Sequence, residues 1–123
     1  MPVALDHRSD HLLIRLVGPS VLTSVRRSVV VPYSDIQRVD VESPRWPSLL
    51  RDWYVGTHLP SLIAHGVFVA WAGGHRRFLH FERDTERVLT SHLVGHPDHQ
   101  EVGVEVRETD AARDELAKRA NVR

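Results

Sequence analysis

Short runs of alternating apolar and polar residues dominate this chain, and their period of two belongs to β-strands rather than to helices. The run LLIRLV at 12–17 sets Leu12, Ile14 and Leu16 on one face and Leu13, Arg15 and Val17 on the other, and Gly18-Pro19-Ser20 ends it. An apolar stretch at 28–32 predicts a second strand. After the turn Pro32-Tyr33-Ser34-Asp35, Val39 and Val41 alternate with Arg38, Asp40 and Glu42, which predicts a half-buried strand over 36–42. Four more strands are predicted at 66–72, 76–82, 86–94 and 101–107, with Gly73-Gly74 and Arg83-Asp84-Thr85 as turns. An antiparallel meander is the simplest arrangement of those four.

Helical spacing occurs twice. Val21, Leu22 and Val25 predict a short helix at 20–26 capped by Ser20, and TDAARDELAKRANVR predicts a C-terminal helix capped by Thr109 or Asp110. Ala112, Leu116 and Ala120 form a narrow apolar stripe on the second helix, so it must lie on something larger. Residues 1–10 are polar and aperiodic, which predicts a loose leader followed by a single domain at 11–123. Residues 43–64 break every period with Pro44, Gly56, Pro47 and Pro60, yet they hold Trp46, Trp53 and Tyr54. Rings of that size bury too much apolar area to be left in water, so this segment is expected to fold back over the core.

The fold class is therefore mostly β: a seven-stranded antiparallel sandwich or partly open barrel, closed by one C-terminal α-helix. The segments VVVPYSDIQRVDVE at 29–42, GTHLPSLIAHGVF at 56–68 and RFLHFERDTERVLTSHL at 77–93 resemble those of short bacterial pleckstrin-homology-like (PH-like) proteins. The likeness spans roughly residues 11–120. It implies a PH-like scaffold, which different proteins use for phosphoinositide heads, peptides, protein partners or self-assembly. In lipid-binding members the head sits on a basic cluster between the first two strands. Here that region holds Arg15, Arg26 and Arg27 and no lysine, so a phosphoinositide ligand is disfavoured.

Composition narrows the functional classes. Sixteen basic and 16 acidic residues cancel, which disfavours nucleic acid because a phosphate backbone is held by concentrated positive charge. No cysteine is present, which removes thiol catalysis and iron–sulfur chemistry. No apolar run approaches the 18 to 20 residues of a membrane-spanning helix, and the first dozen residues lack the apolar core of an export signal, so a cytoplasmic location is expected. Ser20, Ser61 and Ser91 stand in no nucleophile motif and no carboxylate pair stands out, so neither an enzyme nor a cofactor is expected.

Two groups of residues remain as candidate sites. Arg45, Trp46, Arg51, Trp53 and Tyr54 are the residue types that dominate binding hot spots, provided that a ring is exposed. Among nine histidines, His92, His96 and His99 cluster with Asp98, and three imidazoles brought together would suit a metal. His58 and His65, either side of LPSLIA, read as neutral residues packed at a loop base. The leading expectation is a non-enzymatic protein-interaction or self-assembly module, including a homodimer through a strand edge. The alternative is a small barrel binding a ligand or metal, with histidine-assisted hydrolysis as its chemistry.

Overall fold

The computed structural model describes residues 2–16, 28–48 and 50–122. Among the described residues there are nine strands, one turn of 3₁₀ helix at Tyr33–Asp35 and a C-terminal α-helix at Thr109–Ala120. The strands are β1 (Ala4–His7), β2 (His11–Arg15), β3 (Ser28–Pro32), β4 (Ile36–Glu42), β5 (Asp52–Leu59), β6 (Ile63–Ala70), β7 (Arg76–Glu82), β8 (Val88–Leu93) and β9 (Glu101–Val104). They form two sheets, β1-β2-β3 and β4-β8-β9-β7-β6-β5. The larger sheet stays open, with β4 and β5 at its edges, so the architecture is a sandwich and not a closed barrel.

The mostly-β sandwich with a closing helix is as the patterning predicts, and four details differ. Residues 4–7 are not a loose leader: they pair with β2, Ala4 opposite Arg15 through His7 opposite Leu12. Residues 52–59 of the aperiodic segment form a strand whose register runs from Asp52 opposite Ala70 to Leu59 opposite Ile63. The described residues therefore hold nine strands where seven were expected. The last four strands are not a simple meander either. β9 inserts between β8 and β7, antiparallel to the first and parallel to the second, with Phe78 opposite Val102. The expected helix at 20–26 lies outside the described residues.

The alternation assigns each face of the large sheet. Val39, Phe78, Leu89, Val102 and Val104 point into the main core, where they meet Leu12, Ile14, Val29 and Val31 of the small sheet and Leu116 of the helix. Leu116 is fully buried, and Ala112 and Ala120 pack beside it as the stripe requires. Burial of one such leucine is worth about 2–3 kcal/mol. The helix begins after Glu108, in a left-handed conformation (φ 48°) with no side-chain cap, rather than at a Thr109 or Asp110 cap. Arg87 holds its first turn instead, donating to both carboxylate oxygens of Asp110 at 2.8 and 2.7 Å. On the opposite face, Ala64, Phe68, Leu79, Phe81 and Val88 form a second, smaller core with Trp46 packed against it. Among the described residues no helix is long and apolar enough to cross a membrane.

Candidate functional site

In the hairpin β5–β6, Gly56 stands opposite Gly66 with the two backbones in close approach. Both glycines have positive φ (139° and 131°), and a Cβ on Gly56 would stand 2.1 Å from the His65 carbonyl oxygen. Only glycine fits such an approach. Beyond this point β5 is the last strand of the sheet, and its outer backbone edge has no neighbouring strand among the described residues.

That edge is apolar. Trp53, Val55 and Leu59 share one face of β5 by parity, and they are 43, 51 and 48% exposed. Trp71, just past β6, extends the stripe: it is 64% exposed and its ring centroid lies 6.4 Å from that of Trp53. The Trp71 amide donates to the Arg51 carbonyl at 2.7 Å, which closes the end of the hairpin and fixes the two indoles side by side. Tyr54 points to the other face, where it stacks on Phe68 at 5.7 Å and meets the edge of His58 at 5.6 Å.

The five residues expected to form an aromatic binding loop therefore separate. Trp46 is a lid, edge-on to Phe81 at 4.9 Å. Arg45 pairs with Glu42 at 3.2 Å and with the buried Glu101. Arg45, Trp46 and Arg51, with Asp52, Ala70 and Arg77, line an open cavity of about 420 Å³. Arg77 is nearly buried there, 3.8 Å from the Asp52 carboxylate, and desolvation pulls its pKa down against that attraction. Trp53 and Tyr54 belong instead to the exposed strand. Sequence reasoning missed Trp71, although its place in the alternation of 67, 69 and 71 was visible.

The histidines divide in the same way. His92 sits on β8 beside Asp40 (3.3 Å), Glu101 (3.6 Å) and Arg38 (3.1 Å). His96 uses both ring nitrogens: Nε2–H donates to the Val30 carbonyl at 2.8 Å, and Nδ1 accepts the amides of Asp98 and His99 at 3.1 Å each. His99 is buried, stacked on His96 with centroids 5.4 Å apart. These three do not assemble one ligand set. The rings of His96 and His99 hold the 95–100 loop against β3 and Phe78 instead.

A different set does assemble. His65 on β6 stands directly opposite His80 on β7, their rings stacked with centroids 4.0 Å apart and planes 5° from parallel. His65 Nε2 lies 3.2 Å from Glu82 Oε2, and one donor atom from each of the three residues falls within 4.8 Å of the others. It is the one such group of three among the described residues. Burial lowers the pKa of His65 to about 4 and that of His80 to about 3, so both rings are neutral near pH 7. Burial also lowers the pKa of His58, which lies one residue before the end of β5, whereas His65 lies within β6 and not at the loop base expected for it. The signal for this cluster was parity: His80 and Glu82 follow Phe78 on the inward face of β7. The strand expected at 66–72 begins at Ile63, and that earlier start was needed to see that His65 stands opposite.

No family model, curated protein or solved structure matches this chain.

Proposed function

We propose that this chain is a non-enzymatic self-assembly module that pairs with a second copy of itself along β5. The observation that carries the reading is the unpaired outer edge of an eight-residue strand beside an exposed row of Trp53, Val55, Leu59 and Trp71. An open edge next to apolar surface is a template for strand addition, which supplies main-chain hydrogen bonds while apolar side chains leave water.

A second copy fits the chemistry of this edge. Directly opposed residues of an antiparallel pair point to the same face, so a two-fold axis normal to the sheet keeps the apolar stripes of both copies together. Centred on Val55, the axis sets Trp53 against Thr57 and Tyr54 against Gly56, where the missing side chain leaves room for the phenol. It also sets the Asp52 carboxylate opposite the His58 imidazole in each half, and His58 Nε2 is buried without a hydrogen-bond partner in the single chain. The PH-like scaffold belongs to the same proposal, supported by the segment likeness at 29–42, 56–68 and 77–93, and a cytoplasmic setting is proposed with it.

The test is light scattering after size-exclusion chromatography on wild type and Val55→Lys. Val55 is half exposed, so lysine there leaves the fold intact while placing two like charges at the axis. A wild-type dimer that Val55→Lys converts to a monomer supports the reading. A monomeric wild type, or an unchanged dimer in the variant, overturns it.

A further inference from the structure

We propose that His65, His80 and Glu82 form a binding site for a zinc-class divalent cation between β6 and β7. Two imidazoles and one carboxylate are a common three-ligand set for such an ion, with the fourth position left to water. The sheet positions all three. His65 and His80 face each other in register, and Glu82, two residues beyond His80, stands on the same face of β7.

A second observation points to a ligand. His80 has no exposed surface, and neither of its ring nitrogens has a hydrogen-bond partner. A buried polar group left in that state costs about 1–3 kcal/mol, and a strand otherwise filled by Phe78, Leu79 and Phe81 would be better served by leucine. A metal bond removes the cost, because it uses the imidazole lone pair. Neutral imidazole is the ligating form.

The distances are close to those required. Bonds of about 2.1 Å in tetrahedral geometry place donor atoms about 3.4 Å apart. His65 Nε2 and Glu82 Oε2 already stand 3.2 Å apart, and the widest separation in the set is within 4.8 Å. Binding therefore asks the parallel imidazoles to tilt so that their lone pairs converge, a side-chain motion that leaves the strand register untouched. Entry is from the Glu82 side, whose side chain is 23% exposed while that of His65 is 4%.

The site is tested by titrating Co²⁺, and then Zn²⁺ in competition, into wild type, Glu82→Gln and His80→Leu, while following the cobalt ligand-field absorption. One equivalent of cobalt with the intensity of a four-coordinate site is expected, displaced by zinc. Glu82→Gln, near the surface and of the same shape, should weaken affinity by more than the roughly 10- to 100-fold typical of a supporting residue. His80→Leu should abolish the spectrum while the far-ultraviolet circular dichroism stays that of wild type. If His80→Leu fails to fold, Glu82→Gln decides alone. No cobalt spectrum in wild type overturns the site, as does a spectrum that Glu82→Gln leaves unchanged, which would place the metal on surface histidines.

Discussion

Gly56 and Gly66 face each other across β5 and β6 so closely that an added Cβ on either would stand 2.9 Å from the other's Cα. This contact lets the two backbones approach while the ladder of the exposed strand continues to Leu59 opposite Ile63.

Gly66→Ala should therefore destabilise the protein by about 2–4 kcal/mol, since the residue is strained by its φ and overlaps the Val55 carbonyl oxygen at 2.2 Å. Chemical denaturation is the measurement. Gly74→Ala is the control: φ is also positive there (68°) but a Cβ meets nothing within 4 Å, so a loss of only about 1 kcal/mol is expected.

The same glycine contact explains what was hidden in the sequence. Gly56 and Pro60 read as punctuation that breaks a strand, yet Gly56 pairs closely with Gly66 inside the ladder and Pro60 opens the three-residue turn before β6. Local propensity therefore registered a loop where tertiary pairing makes a strand. The helix stripe at Leu116 and the alternation of Val102 and Val104 were legible because their partners lie on one continuous core. The insertion of β9 beside β7 was not, since pairing partners leave no trace in a strand's own period. The histidine site was half legible: the inward parity of His80 and Glu82 could be read, but His65 fell outside the strand expected at 66–72, so the ring opposite could not be named.

Acid should weaken the metal-free fold through His65 and His80. Their folded pKa values of about 4 and 3 lie below the ordinary 6.5, so protons bind the unfolded chain first as pH falls. Stability is unaffected by these groups above pH 6.5. It declines below that value by up to roughly 1.4 kcal/mol per pH unit for each ring, until the folded pKa is passed near pH 4 to 3. Denaturation of chelator-treated protein between pH 7 and 4 measures this slope, and His80→Leu should flatten it.

In the absence of metal, His80→Leu should also raise stability at pH 7 by about 1 kcal/mol, because an apolar side chain replaces an imidazole whose nitrogens lack partners. Thermal unfolding in chelator reads this directly.

Arg45→Ala removes the arginine paired with Glu101, a carboxylate buried under the loop. His92 at 3.6 Å is left as its nearest basic neighbour among the described contacts. Because half of Arg45 is exposed, solvent screening limits the loss to about 1–2 kcal/mol, and Glu101→Gln combined with Arg45→Ala should recover part of it. A double-mutant cycle by urea denaturation gives the coupling.

The most direct measurement of the central claim is amide hydrogen exchange across β5 as a function of protein concentration. Pairing through this strand predicts that those amides of 52–59 that point away from β6 become protected as concentration rises, and that Val55→Lys abolishes the change. Exchange in β5 that stays constant with concentration, or protection that rises only elsewhere in the chain, would contradict it.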